Sequence, residues 1–302
     1  MSEIVINAQN LSKNFYNFDS RLPFIKRFLK RNQITIRAVQ DISFTIKRGS
    51  IVGFIGSNGA GKSTTIKMLT GTLYPSSGKL EVNGEIPFKR SINFRKKISI
   101  VVGNKLQLFQ DVSAMDYFQL IGTLYEVEPA ILQERIQELS NLLNVKDQLY
   151  QQVRTLSLGQ KMKMEFIAAS LTSPEILFLD EPTIGLDIQS KKDIRTFLKK
   201  MNEECHTTII LTSHDMDDIS SVCDELIVID KGKIILQESM DVILSKFSDF
   251  KYLKIKMTLD LVPELCSVKG VVVISQTKSE CILKIPRDFV FETLESINKL
   301  VD

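Results

Sequence analysis

The run SIVGFIGSNGAGKSTTIKMLTG, residues 50–71, constrains this chain more than any other feature. An apolar stretch ends in a glycine-rich turn, and a run of helix formers follows directly. That order calls for a buried strand, a tight turn and a helix, which places the chain among α/β folds. Gly56, Ser57, Asn58, Gly59, Ala60, Gly61, Lys62 and Ser63 fit G-x-x-x-x-G-K-[ST], and Thr64 continues the run. The glycines let backbone amides turn inward around phosphates, Lys62 reaches the β- and γ-phosphates, and the Ser63 hydroxyl is placed to coordinate Mg²⁺. A bare glycine turn before a helix is the alternative, and the flanking strand and helix argue against it.

Further strand-like and helix-like runs alternate along the chain. KISIVVG, EILFLDEP, HTTIILTSH and DELIVID read as strands, the second ended by Pro182. Pro129 opens a helix whose apolar residues Ile131, Leu132, Ile136, Leu139, Leu142 and Leu143 recur at helical spacing. These pieces imply a core sheet with helices on both faces. Asp180 and Glu181 stand where an apolar strand runs out, so Asp180 can support Mg²⁺ through water and Glu181 can take a proton from an attacking water. His214 ends another apolar strand and could contact a γ-phosphate; a lone histidine is more often structural. His206, the other of the two histidines, reads as surface.

TLSLGQKMKMEF, residues 155–166, poses a question. Ser157 and Gly159 precede a run of helix formers, which makes a second helix N-terminus able to hold an anion. A chain with one phosphate loop has no obvious use for another so far along.

Composition narrows the classes. At 302 residues the chain can bury a substantial core. Its net charge of +3, from 39 basic and 36 acidic residues, gives no whole-molecule case for nucleic acid. Cys205, Cys223, Cys266 and Cys281 lie far apart without a Cys-x-x-Cys pair, and are expected to be reduced thiols of a cytosolic protein. The first residues show no signal-peptide core, and no apolar run approaches the roughly 18 residues of a membrane span. Residues 21–31, RLPFIKRFLKR, set Phe24, Ile25, Phe28 and Leu29 on one helical face and Lys26, Arg27, Lys30 and Arg31 on the other. Such a piece could lie on an anionic membrane or a partner helix, or could pack its apolar face on the domain.

Together the motifs resemble the nucleotide-binding subunit of an ABC transporter. GSNGAGKST is similar to that family's Walker A, LFLDEP to its Walker B with Glu181 as the catalytic carboxylate, and LSLGQ to its signature. GLD, ending in Asp187, looks like its D-loop, and His214 its switch histidine. The resemblance covers residues from about 5 to 244, in the family's motif order. It implies a P-loop ATPase domain over residues 1–244, with a mixed sheet and a helical subdomain near 105–172 that carries the signature. Residues 245–302 read as a small α+β appendage.

The resemblance also accounts for the second anion site. In this family two subunits pair head to tail, and ATP lies between Walker A of one and the signature of the other. It implies ATP and Mg²⁺ as cofactors, with Ser63 and Asp180 toward the metal, and Ser157, Gly159 and Gln160 toward the partner's nucleotide. A second ATP-binding subunit, homodimer pairing, and separate membrane permeases at the cytoplasmic face of the membrane follow as expectations. Leu158 stands where the family most often has glycine. Asn104 occupies the place of the family's Q-loop glutamine, toward the metal and the water, and Gln107 is the alternative. Phe15 matches the aromatic position that meets adenine, with Tyr16 as runner-up; either could be core. The stretches around the signature and Walker B resemble a bacterial exporter subgroup. An import ATPase and a soluble ABC ATPase are the competitors.

Overall fold

The computed structural model describes residues 3–18, 33–248, 250–256, 271–277, 280–286, 289 and 293. The basic amphipathic stretch at 21–31, Cys266, and all of the helix-like stretch at 288–302 except Phe289 and Thr293 lie outside the described residues. The chain divides into two compact units, Met1–Glu238 and Ser239–Asp302.

The first unit is built on a six-stranded sheet in the order β5-β6-β7-β3-β8-β9. Its strands are β3 (Ile51–Ile55), β5 (Ile98–Val102), β6 (Ile176–Asp180), β7 (Thr208–Ser213), β8 (Glu225–Asp230) and β9 (Lys233–Ser239). From β5 to β8 every pairing is parallel. Parallel strands are covered on both faces, so they read as continuous apolar runs such as ILFL and TIIL. Lys231 and Gly232, at φ 46° and 79°, join β8 to β9. Two consecutive positive φ values make the tight hairpin turn that reverses the chain, and the sheet becomes mixed.

Register decides where the motifs fall. Val102 pairs with Asp180, Asp180 with Thr212, and Ile55 with Ser213. The carboxyl ends of four strands therefore line up, and Gly103, Glu181, His214 and Gly56 leave the sheet along one edge. Ligands of open α/β sheets bind at that edge.

A second, antiparallel sheet has the order β2-β1-β4, formed by β1 (Ile4–Phe18), β2 (Gln33–Lys47) and β4 (Ser77–Val82). Ile42, Phe44 and Ile46 alternate inward along β2 and join one core with Phe54, Phe178, Met68 and Leu69.

The helices start where the sequence supplies caps. Gly61 precedes α1 (Lys62–Leu69), Ser91 caps α2 (Ile92–Lys97), and Ser113 with Asp116 forms a capping box on α3 (Ala114–Leu124). Pro129 is the first residue of α4 (Pro129–Leu142), which buries Leu132, Ile136 and Leu139 but leaves Ile131 exposed. α5 (Leu158–Ser170), α6 (Ile188–Cys205) and α7 (Met216–Val222) are capped by Ser157, Asp187 and Asp215. α3, α4 and α5 pack on one another.

One ion pair joins α5 to α6. Lys163 Nζ lies 2.6 Å from Asp193 Oδ2, and both side chains are only 9% exposed. Removing one partner of a buried pair strands the other charge, which costs about 3–5 kcal/mol. Asp193→Ala should therefore lower unfolding free energy by about that amount, measured by denaturant titration; a loss below about 1 kcal/mol, the range of a surface pair, would contradict the burial.

The second unit holds α8 (Met240–Ser248) and an antiparallel sheet in the order β10-β12-β11. Cys281, Leu283 and Ile285 alternate inward on β12 (Glu280–Pro286), and pack with Leu253 and Ile255 of β10 (Phe250–Lys256) and Val273 of β11 (Val272–Gln276). Cys205 and Cys223 are free thiols, and burial pushes the Cys223 thiol up.

Candidate active site

The glycine loop leaves β3 through a gap that admits no side chain. A Cβ on Gly56 would lie 2.1 Å from the Ile229 carbonyl oxygen on β8. Gly61 takes φ 113°, and a Cβ there would lie 2.6 Å from the Ala38 carbonyl oxygen on β2. Lys62 is 5% exposed, and its Nζ donates to the carbonyls of Gly56 at 2.7 Å and Ser57 at 3.2 Å. Those bonds are what make a buried ammonium tolerable. The Ala60 carbonyl accepts from Gly232 N at 2.9 Å, so the β8–β9 turn braces the loop. A cleft of about 300 Å³ opens above α1, lined by Asn58, Gly59, Gly61, Lys62, Ser63, Thr64 and Glu181. The positive end of the α1 dipole and its free amides face any anion held there.

Strand ends supply the acidic side of the cleft. Asp180 Oδ1 accepts from Ser63 Oγ at 2.9 Å and from Thr212 Oγ1 at 2.7 Å. Glu181 sits at φ 50°, a conformation that costs a side-chain-bearing residue roughly 1–2 kcal/mol. Its N–H donates to Thr212 Oγ1 at 3.0 Å and to the Thr212 carbonyl at 3.2 Å. Gly103 leaves it room, because a Cβ there would lie 1.9 Å from the Glu181 carbonyl oxygen. So held, Glu181 places Oε1 4.0 Å from Lys62 Nζ and Oε2 3.5 Å from His214 Nδ1. Lys62, Ser63, Asp180, Glu181 and His214, drawn from three motifs, are thus brought together.

Ser63 and Asp180 present hard oxygen donors side by side, which suits Mg²⁺. Among the described residues no group of three or more His, Cys, Asp and Glu could hold a metal by itself. Mg²⁺ bound beside substrate phosphates needs only one or two protein ligands.

The LSLGQ segment is placed elsewhere. Ser157 Oγ accepts from Gln160 N at 3.2 Å while Gln160 Oε1 accepts from Ser157 N at 2.9 Å, a reciprocal box at the start of α5. Gly159 lies against the α6 cap, where a Cβ would meet Ser190 Oγ at 2.3 Å and Asp187 Oδ2 at 3.0 Å. Asp187 accepts from the Ser190 hydroxyl at 2.7 Å and the Ser190 amide at 2.9 Å, and these bonds hold its carboxyl below the usual range. Among the described residues, Ser157, Gly159, Gln160 and Asp187 are absent from the wall of the Lys62 cleft.

Asn104 is exposed in the turn after β5. Gln107 Nε2 donates back to the Ile100 carbonyl at 2.9 Å, and the amides of Gln107 and Leu108 donate to the Glu165 carboxylate. Burial pushes Glu165 up, and those two amides oppose the shift. Gln107 and Glu165 line a separate cavity of about 230 Å³ with Arg95 and Tyr117. Phe15 pairs in register with Ile36, two residues from the Ala38 carbonyl that abuts Gly61. Its ring is 39% exposed with Lys13 Nζ 5.4 Å from the centroid, and Tyr16 is more exposed at 61%.

Sequence reasoning missed Thr212 and Gly103, which together hold Asp180 and Glu181 in place. The only signal for either was its position beside a strand end, inside TTIILTSH and ISIVVG.

Fold and site define a P-loop ATPase cassette. Residues 39–184 match the family described as ABC transporter. The chain is 32% identical over 216 residues to the ABC transporter ATP-binding protein NatA of Bacillus subtilis, covering 72% of this chain and 87% of NatA. The structure of cbiO1 from Clostridium perfringens, part of the ABC transporter complex cbiONQ, superposes with a TM-score of 0.67 at 26% identity, over 81% of this chain and 92% of cbiO1. The ATP-binding cassette MJ0796, solved as a post-hydrolysis dimer with ADP and Pi, shares the fold at a TM-score of 0.65 and 20% identity, over 78% and 98% of the two chains. The chain spans 63% of the length of two other Bacillus subtilis ATP-binding proteins that it matches at 34% identity. It belongs to the ABC transporter family, as an ATP-binding subunit, and membership implies ATP hydrolysis. Among the described residues no helix is long and apolar enough to cross a membrane.

Proposed function

We propose that the chain hydrolyses Mg-ATP as one of two head-to-tail subunits, most plainly a homodimer, and powers export through separate membrane permeases at the cytoplasmic face. One observation carries the reading. The chain has two helix N-termini fit for phosphate, at Lys62 and at Ser157, and only the first borders the cleft. A half-site turned elsewhere serves a nucleotide held by another chain. MJ0796 is a dimer in its post-hydrolysis state with ADP and Pi, which supports pairing of two such subunits. Export rests on the resemblance of the signature and Walker B stretches to a bacterial exporter subgroup.

In this mechanism the amides of residues 56–64 cradle the phosphates, and Lys62 exchanges its loop carbonyls for phosphate oxygens. Ser63, Asp180 and the Asn104 turn would hold Mg²⁺, which neutralises charge on the β- and γ-phosphates when bound. Glu181 takes the proton of the attacking water, and His214 orients it against the γ-phosphate. Phe15 stacks on adenine. Ser157 and the Gly159 amide of the partner donate to the γ-phosphate, braced by Gln160 and Asp187.

Purified chain should hydrolyse ATP with Mg²⁺, lose that activity on chelation, and lose it in Lys62→Ala. Affinity isolation from detergent-solubilised cells should bring down a multi-span membrane protein. ATPase activity that survives chelation would sink the metal assignment, and isolation without any membrane protein would sink the permease assignment.

A further inference from the structure

Among the described residues Asp218 is the most deeply buried acid, 2% exposed. It lies in α7, four residues after His214. Thr183, two residues after Glu181, donates its hydroxyl to Asp218 Oδ2. Arg195 of α6 donates to Asp218 Oδ1 from Nε at 2.8 Å and again from Nη2. Lys191 of α6 stands 3.9 Å from Asp218 Oδ2 and bonds Asp215 Oδ2 at 2.6 Å. Asp215 follows His214 directly and caps α7 by accepting from Asp217 N at 3.0 Å. One enclosed carboxylate therefore ties together three segments: the turn carrying Glu181, the helix capped by Asp187, and the turn carrying His214.

Stability alone is a poor account of this arrangement, because a buried ion pair is often no better than apolar packing of the same volume. Its placement has a use, since Glu181 and His214 act only if held in fixed relation across 3.5 Å. We propose that Asp218, with Lys191 and Arg195, is a positioning residue for hydrolysis. It locks the Glu181 and His214 turns to α6, so that a shift of the Asp187 end on meeting a partner is transmitted to both groups. This rests on the reading of Glu181 and His214 as catalytic. Asp218 lies outside the wall of the Lys62 cleft.

Asp218→Asn, Lys191→Gln and Glu181→Gln should be compared by steady-state ATP hydrolysis, nucleotide binding and thermal melting. A misplacement of about 1 Å costs on the order of 10²-fold in rate. Asp218→Asn should lower kcat by about 10- to 100-fold, with KM and ATP affinity within about twofold of the unmodified chain. Asp218→Glu should recover part of that kcat. Where Asp218→Asn does not fold, Lys191→Gln decides: it alters a side chain that is 24% exposed, and kcat should fall several-fold at constant KM. Folded variants with unaltered kcat would overturn the inference, as would a kcat loss matched by lost ATP binding. The control keeps the two ideas apart. If Glu181→Gln hydrolyses ATP normally, the reading of the catalytic pair is wrong; if it is inactive while the Asp218 and Lys191 variants run normally, only the positioning role fails.

Discussion

Glu181→Gln should abolish turnover while the protein still binds ATP. A positioned general base contributes about 10²–10⁴-fold, and the amide keeps the shape of the carboxylate without its basicity. The groups proposed to hold phosphate and metal, Lys62, Ser63 and Asp180, are untouched by the change, with their bonds to Gly56, Ser57 and one another. The Glu181 backbone is pinned by Thr212 and overlaid by Gly103, so its odd φ does not depend on the side chain. The variant should accumulate as an ATP-bound dimer, seen by light scattering and by nucleotide content after gel filtration. Hydrolysis within about twofold of the unmodified chain would leave the proton-accepting role without support.

The second large effect concerns pairing. Lys62→Ala damages the site that uses this chain's glycine loop, whereas Ser157→Arg damages the site of its partner. With one change on each chain, both lesions fall in a single composite site and the other stays whole. With both on one chain, each site carries a lesion. Loss of a preorganised group that stabilises transition-state charge costs on the order of 10²–10³-fold per site. The first arrangement should therefore hydrolyse ATP on the order of 10²-fold faster than the second. The two mixed dimers can be isolated with distinct affinity tags and assayed side by side. Equal low rates would mean either that the sites are not shared head to tail or that one damaged site silences both. Trapping of ATP without turnover separates these: a dimer that occludes ATP in the first arrangement and not in the second keeps shared sites, and occlusion in neither counts against them.

Local signals were legible because they are short-range. The glycine spacing around Lys62 foretold the loop, since positive φ at Gly61 and close approach at Gly56 are demands that glycine alone meets. Ser157 and Gly159 ahead of a run of helix formers foretold a helix N-terminus, and Pro129 a helix start. The helical spacing after Pro129 located the buried face of α4, although Ile131 falls outside it. Apolar runs that end in Asp180 and His214 marked strand ends, because only a covered strand stays apolar throughout.

What the sequence by itself determined is therefore the list of parts: a phosphate-loop motif, two carboxylates at a strand end, a histidine at another, and a second helix start at Ser157. Tertiary structure decided their relations. β3 pairs with β7 some 158 positions onward, between Ile51 and Ile209, and no local pattern states that register. The register of β6 between β5 and β7 is just as unstated, and it sets Thr212 beside Asp180, brings Glu181 near Lys62 and His214, and makes Gly103 a requirement of a neighbouring strand. Packing of α6 on α7 joins Thr183, Lys191 and Arg195 at Asp218. The physical reason is one of range. Caps, turns and periodicity depend on residues within a few positions, whereas the partner of a buried polar group is chosen by which strands and helices pack together.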